Sequence, residues 1–336
     1  MATIKDVAKA AGVSFKTVSR VVNGEKSVGA ALRQRVEAAI RDLGYTPSLA
    51  ARQLAGQRSF IIGLVVPRAG ISYIARMMIA LAAACRQAGY HLMTEAVDYD
   101  AVQASATGKI HFSARPDAVI VTPPFSNDPA LAAHFAAEAI PLVRIATVIE
   151  GHGLPIHVDE EPITIKLMRH LIAQGHRRIG MIGPPMPVRA SEARVSGYRR
   201  ALEEAGLPFD PDLMQRGDFS FASGVHGVTA MLALPDRPTA IFAAGDEMAA
   251  GVLAQAQRLG YRVPEDLAVA GFDDSPVARM VFPPLTTVYQ PVNEIAQAAV
   301  DAAVHGHVPA APFGYELRIR GSTSGDRQLC LEPYRF

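Results

Sequence analysis

Residue types that do covalent chemistry are present in this chain, but not at the spacing that such chemistry needs. The segment Gly321 to Gly325 approaches a nucleophile elbow, yet its centre is Thr323 where a serine is required, and a chain crossing rich in turn-formers is the simpler reading. His176 precedes Arg177 and Arg178, which suits a polar loop entering a strand better than an acid–base site. No strand leads into a phosphate-cradling glycine loop with its lysine, and no histidine pair has helical metal spacing. The expectation is a chain with no catalytic residue, no metal and no tightly held cofactor. Cys85 reads as a buried free thiol, and Cys330 is left open.

Recognition chemistry is better supplied. In IKDVAKAAGVSFKTVSRVVNG, Val7, Ala8 and Ala11 make one apolar face, Gly12 allows a sharp reversal, and Val18, Val21 and Val22 make the face of a second helix. Thr3 caps the first helix with Asp6 as its partner, and Ser14 caps the second. Phe15, Lys16 and Arg20 then point away from the valines, where the second helix of a helix-turn-helix enters the major groove. A Lys or Arg there meets guanine O6 and N7, and an aromatic edge meets a thymine methyl. A third helix, about Ala30 to Leu43, offers Leu32, Val36, Ile40 and Leu43 to a small three-helix core.

The next stretch, GYTPSLAARQLAGQ, gives a helix start at Pro47 and Ser48 and a stop at Gly56. A helix of about two turns is marginal alone, so this one is expected to form against something else. Ala50 and Ala51 permit close approach of a second copy, and Leu54 is left as an apolar wedge suited to a base step in the minor groove.

The charge distribution agrees. The 336 residues carry a net +1, but residues 1 to 58 hold ten basic against four acidic side chains, a local +6 that leaves −5 on the remainder. A basic head on a mildly acidic body is what a nucleic-acid-binding protein shows. No apolar run approaches membrane-spanning length and the N-terminus has no signal core, so a cytoplasmic protein without membrane contact is expected.

From Phe60 the pattern changes to short apolar runs alternating with helical stretches. FIIGLVVP opens as a buried strand, followed by a helix near Ile74 to Gln87 and further strands at Tyr90 to Glu95, Ala118 to Val121 and Pro141 to Ile145. Asp98 to Pro116 is expected to supply a helix of that layer. After Glu161 the alternation repeats, which predicts two doubly wound parallel-sheet lobes with a ligand cleft between them. For that cleft the sequence offers Arg194 as a donor fork for vicinal hydroxyls, with pairing to Glu192 or a neighbour as the ordinary alternative. Asp273, in the GFDD turn, is an acceptor or a turn former, a role Asp274 shares. Phe219 and Tyr73 are platforms for a sugar ring or ordinary core residues.

The head resembles the DNA module of the LacI/GalR family of bacterial transcription regulators through TIKDVA, AGVS, TVSRVVN, GY.P and A..L, and the body resembles the same family at GHRRIG, SGYRRAL, GFDD and PPLTTVYQP. The resemblance covers essentially the whole chain. It implies a helix-turn-helix DNA-binding domain over 1–45, a hinge helix and linker over 46–59, and a periplasmic-binding-protein-like α/β effector and dimerisation domain over 60–336. Lobe 1 would span about 60–157 and 291–320 and lobe 2 about 158–290 and 321–336, with crossings near His157, Gln290 and Gly321. It assigns Thr3, Ser14, Phe15, Lys16, Thr17, Arg20, Asn23, Ala51 and Leu54 to the DNA surface. Tyr73, Arg194, Phe219 and Asp273 fall on effector positions, with Thr122, Phe125, Thr147 and Gln290 as weaker candidates. Gly245 stands where sugar-responsive members often carry asparagine, and Asp246 is kept, with capping of the following helix as its expected job.

The expectation is a homodimeric operator-binding repressor, released from a pseudopalindromic operator by a small sugar-like effector. A corepressor-activated regulator of the purine-binding type is the nearest alternative. A soluble sugar-binding protein, or an enzyme on the same lobes, would leave the basic head unexplained. The C-terminal RQLCLEPYRF has no appended heptad helix, so a tetramer built in that way is not expected.

Overall fold

The computed structural model describes residues 2–22, 27–45, 58–68, 71–97, 110–147, 150–184 and 192–324. Asn23, Ala51, Leu54 and Cys330 lie outside them, as does all of the expected hinge helix. The chain divides into two compact units, Met1–Phe60 and Ile61–Phe336.

The first unit holds α1 (Ile4–Ala11), α2 (Phe15–Val22) and α3 (Ala30–Asp42). Thr3 and Asp6 form a complete capping box on α1, and Gly12 takes the left-handed conformation at φ 61° that ends the helix. Ser14 Oγ accepts from the Thr17 amide at 3.2 Å and so caps α2. Val7, Ala8, Ala11, Val18, Val21, Val36 and Ala39 form the buried centre. Leu43 does not join them. It follows the last turn of α3 and is 40 % exposed. Arg35 on α3 closes the unit, donating from Nε to the Ala11 carbonyl at 3.1 Å.

The second unit contains two parallel sheets. The first has the strand order β2-β1-β3-β4-β5, from β1 (Ile61–Pro67), β2 (His91–Val97), β3 (Ala118–Val121), β4 (Leu142–Ile145) and β5 (Leu154–Ile156). Its helices are α4 (Ile71–Gln87), α5 (Pro129–Ala137) and α11 (Val292–His305), with α11 packed on α4 and across β3, β4 and β5. Residues 110–116, the described part of the Asp98 to Pro116 segment, are not helical, and 98–109 lie outside the described residues. The second sheet has the order β7-β6-β8-β9, from β6 (Ile179–Gly183), β7 (Met214–Arg216), β8 (Ala240–Ala243) and β9 (Ala268–Ala270). It carries α6 (Glu161–Ala173), α7 (Glu192–Glu204), α8 (Phe221–Leu232) and α9 (Asp246–Arg258).

The inner strands of both sheets are buried on two faces, which is why they read as apolar runs, while the edge strands β2 and β7 are only partly buried. Short α10 (Val277–Met280) precedes an antiparallel pair, β10 (Thr287–Tyr289) with β11 (Glu316–Arg318), and α12 (Gly321–Ser324) ends the described chain. The backbone passes between the two sheets at 157–160, 290–291 and 319–320. At the last passage Ser322 Oγ accepts from the Thr286 amide at 2.8 Å, and Thr323 Oγ1 lies 2.6 Å from Thr286 Oγ1 and 2.8 Å from His170 Nε2. The hydroxyls of the segment that approached a nucleophile elbow are therefore used in fastening it.

Candidate functional site

On the first unit, the side of α2 away from the valines is open. Phe15 is 56 % exposed, Lys16 and Arg20 are exposed, and Thr17 is half-buried. Thr3 and Ser14 use their hydroxyls in helix caps, which set where the two helices begin. The result is a rigid two-helix corner that presents an aromatic edge and two cations from one short helix.

On the second unit, the cleft candidates converge around one buried guanidinium. Arg194, on α7, donates from Nε to Glu160 Oε2 at 2.7 Å, from Nη2 to Glu160 Oε1 at 2.9 Å, and from Nη1 to the Ala244 carbonyl at 2.5 Å. Its carbon also sits 3.8 Å above the centre of the Phe272 ring. Burial works against its charge, but the Glu160 carboxylate and its hydrogen bonds outweigh that, and the guanidinium is held above its ordinary pKa. The partner is thus Glu160, in the first passage between the sheets, and not the neighbouring Glu192. The donor fork expected for vicinal hydroxyls is largely spent on the protein itself.

Asp273 stands next to this pair, with Oδ1 3.8 Å from Arg194 Nη2 and accepting from Gln290 Nε2 at 2.5 Å. Arg76, on α4 of the first sheet, reaches across to its carbonyl at 2.5 Å. Burial pushes the Asp273 carboxyl up to about 7; Arg194 opposes this and Glu247 adds to it. Tyr73 lies in the first turn of α4 and is half-buried. Burial, then Glu160 and Asp273, raise its pKa against the pull of Arg194 and Arg76.

A Cβ placed on Gly245 would stand 3.3 Å from Phe219 Cδ1 and 3.8 Å from Asp273 Oδ2, so the bare glycine lies between ring and carboxylate. Gly245 itself is extended, at φ −171°, and its backbone does not require glycine. Phe219 and Asp273 hold positive φ of 65° and 117°, conformations costly for residues with a side chain and typical of sites where position outranks comfort.

Asp246 corrects an expectation. It is the first residue of α9, whose N-cap is Gly245 with no side-chain cap; its fully buried carboxylate instead accepts from the Thr287 hydroxyl at 2.6 Å and the Ser275 amide at 2.7 Å. It therefore ties the start of α9 to the GFDD turn and to β10. Burial and then Asp273 raise its pKa well above the ordinary value.

The remaining candidates lie on the first sheet. Phe125, one of the weaker effector candidates, is 1 % exposed and packs in the core with Val65, Val121, Leu131 and Phe135. Thr122 is buried with its hydroxyl on the Val65 carbonyl at 3.4 Å. Thr147 Oγ1 accepts from Arg144 at 3.1 Å and donates to Asn127 at 3.1 Å.

Sequence reasoning missed Glu160, Arg76, Phe272, Glu247 and Tyr315. Phe272 and Glu247 are chain neighbours of residues it chose. Tyr315 is informative because its buried hydroxyl has no hydrogen-bond partner, while Glu160, Tyr73, Arg194 and Asp273 all lie within electrostatic reach of it. Glu247 Oε1 is likewise buried without a partner. Natural interiors satisfy such atoms with water or a ligand, and these two lie near one charged cluster. Among the described residues there is no cluster of metal-ligating side chains, and no helix is long and apolar enough to cross a membrane.

Comparison with known proteins gives the same division. Residues 3–48 match the model of the bacterial regulatory proteins of the lacI family, and residues 168–323 match a periplasmic binding protein-like domain. The chain is 35 % identical to the HTH-type transcriptional repressor PurR of Escherichia coli O139:H28, over 100 % of this chain and 99 % of that protein. It is 31 % identical to the ribose operon repressor of Escherichia coli K12, over 91 % and 93 %. A crystal structure of the Lac repressor bound to ONPG in the repressed state superposes with TM-score 0.75 at 29 % identity, over 96 % of this chain and 99 % of that one. The transcriptional regulator CelR in complex with cellobiose gives 0.67 at 30 %, over 96 % and 100 %. With its helix-turn-helix head, its two parallel sheets and these relatives, the chain belongs to the LacI family and is a DNA-binding transcription regulator.

Proposed function

We propose that this regulator is a repressor, and that a small polar molecule of the sugar class, bound between the two sheets, releases it from a pseudopalindromic operator. The observation that carries the effector half is the unpartnered Tyr315 hydroxyl amid Arg194, Glu160, Asp273 and Tyr73. Phe219 and Tyr73 supply apolar ring faces beside it. The protein works in the cytoplasm as a homodimer, since a two-fold protein matches a two-fold operator. The body leaves Ile79 54 %, Met280 79 % and Phe282 51 % exposed, large apolar side chains of the kind a second copy covers. Residues 1–45 read the operator, 46–59 link, and 60–336 bind effector and dimerise.

A ligand that prefers the DNA-free form weakens operator binding by the factor by which DNA weakens ligand binding. One that prefers the DNA-bound form acts as corepressor. Selection from a randomised duplex library followed by anisotropy titrations with sugars and nucleobases tests both halves. Two-fold symmetric sites released by a sugar are expected. Sites without symmetry overturn the dimeric repressor, and a nucleobase that tightens binding replaces induction with corepression.

A further inference from the structure

We propose that Arg144 and Ser126 form an oxyanion site on the first sheet, one that takes a phosphate or carboxylate group. Its residues are not those of the Arg194 cluster, and it does not depend on the effector reading.

The site begins with a buried charge that has no counter-charge. Arg144 stands in β4, within LVRI, and is 2 % exposed. Guanidinium groups are seldom buried unless paired, because desolvating a charge is costly. Arg194 meets that rule through both carboxylate oxygens of Glu160. Arg144 does not, and among the described residues it makes no ion pair. Its partners are neutral oxygens: Nη1 donates to Thr147 Oγ1 at 3.1 Å, and Nη2 donates to the Gly151 carbonyl at 3.3 Å. A guanidinium carries more N–H groups than these two bonds use. One of them is on Nε, the nitrogen through which Arg194 holds Glu160, and in Arg144 that atom is buried without a partner. Burial lowers the Arg144 pKa with no acid to offset it, yet an arginine stays charged in a protein.

Local structure brings a second unpartnered atom to the same end of the sheet. Strand alternation puts Arg144 on the face of β4 that also carries Leu142, and Leu142 packs with Phe125, Leu131 and Phe135. The 3₁₀ turn Phe125–Asn127 and α5 cover that face. Thr147 joins strand to turn, accepting from Arg144 and donating to Asn127 Oδ1 at 3.1 Å. Ser126, in the middle of the turn, is fully buried, and its Oγ has no hydrogen-bond partner. The turn follows β3 and Thr147 follows β4, so both lie at the carboxyl ends of parallel strands, where open α/β sheets bind their ligands.

The leftover atoms set the ligand's chemistry. An N–H on a full positive charge and a hydroxyl able to donate suit an oxyanion, which accepts from both and supplies the missing charge. A neutral hydroxyl could accept the same bonds but would leave the charge uncompensated. Asp128 does not supply it, because its Oδ1 caps α5 by accepting from the Ala130 and Leu131 amides at 2.9 and 3.1 Å. Glu150, beside Gly151, is exposed to solvent. The oxyanion is either free phosphate or the acidic group of a larger ligand, and the two sources are separable.

The test uses the full chain with 15N-labelled arginine, whose Nε–H signals are read by NMR; the Arg144 signal is the one missing from Arg144→Lys. Probes at equal ionic strength are sodium chloride, inorganic phosphate, ribose, ribose 5-phosphate, glucose and glucuronate. Phosphate that shifts the signal saturably, where chloride does not, supports a site for the free anion. A sugar phosphate or sugar acid that does so at least about tenfold below both its neutral parent and free phosphate, one decade in Kd, supports the same site filled by a larger ligand. Ser126→Ala should raise the required concentration by roughly tenfold or more, as loss of a hydrogen bond to a charged group does. A neutral sugar that moves the signal as readily as its acidic partner overturns the inference, and so does a signal that no oxyanion moves. A signal that moves only with protein concentration shows that a second copy supplies the charge, and overturns it too. Operator release, recorded in parallel, judges the effector reading alone, since the site can fill without release.

Discussion

Removing the Arg194 guanidinium should unsettle the body before it affects any ligand. Arg194→Met keeps length and apolar contact with Phe272 but leaves Glu160, itself 5 % exposed, as a buried carboxylate stripped of both its hydrogen bonds. Breaking a buried pair by removing one partner costs ~3–5 kcal/mol, because the other charge remains desolvated. That is a large share of the ~5–15 kcal/mol by which folded domains are stable. At roughly 2–4 °C per kcal/mol for a unit of this size, the melting transition of the body should fall by about 6–20 °C.

The double variant Arg194→Met with Glu160→Gln removes the stranded charge. It should recover most of the loss, since a pair replaced on both sides is often neutral. Urea and thermal unfolding of the four proteins in the cycle give the coupling directly. Singles that add to the double would refute the argument, by showing that the two side chains do not act as one unit. Loss of effector response in Arg194→Ala is therefore ambiguous alone, and Tyr315→Phe, which removes a hydroxyl that bonds nothing in the protein, is the cleaner probe of the site.

Four further outcomes follow from the geometry. Because the folded-state carboxyl of Asp273 is raised from 3.8 to about 7, the folded protein holds a proton that the unfolded chain releases; stability should fall as pH rises through that window, and Asp273→Asn should flatten the slope in pH-dependent unfolding. Arg35→Ala removes the tie from α3 to the Ala11 carbonyl and should cost the head about 0.5–1.5 kcal/mol by thermal unfolding. Gly251→Ala would set a methyl into the Phe221 carbonyl, where α8 and α9 pack backbone to backbone, and overpacking of that kind costs about 1–3 kcal/mol or more. Lys16→Ala should relax base preference by about 1–3 kcal/mol at one operator position, read from competition between operator variants.

The head was legible almost in full because its signals are local. A capping box needs only Thr3 and Asp6, and the valine spacing fixes which side of α2 is free. Leu43 failed for a physical reason: helical period assigns a face, but a residue past the final turn has no facing neighbour to bury it. In the body, long apolar strands announced themselves, while β5, β10 and β11, three residues each, carry too few positions to show a period. Arg194 and Asp273 were recognisable as polar residues at loop and helix starts. Their partners were not, since Glu160 lies 34 residues from Arg194 and Gln290 lies 17 from Asp273, and no local rule reports a pairing over such distances. Asp246 shows the same limit, because its position invited a cap while the deciding contact, Thr287, is 41 residues away.

The long-range partners share a location that explains how a ligand could move the body. Glu160 belongs to the first passage between the sheets, Gln290 to the second, and Tyr315 to the residues leading into β11 and the third. The first two passages therefore contribute a side chain each to the polar cluster, Tyr315 stands just before β11, and Arg76 adds a contact from α4 of the first sheet to the Asp273 carbonyl of the second. Any rotation of one sheet against the other turns about those three segments and must change the distances within the cluster. A ligand that hydrogen-bonds groups of this cluster favours one set of distances and so one sheet angle, with an effect limited to its difference in affinity for the two arrangements. Moving an equilibrium from 1:99 to 99:1 takes ~5.5 kcal/mol of such difference, which two or three hydrogen bonds to charged groups at ~1.5–3 kcal/mol each can supply. On this reading Tyr315→Phe should reduce the ligand-induced change in operator affinity more than it reduces operator affinity itself.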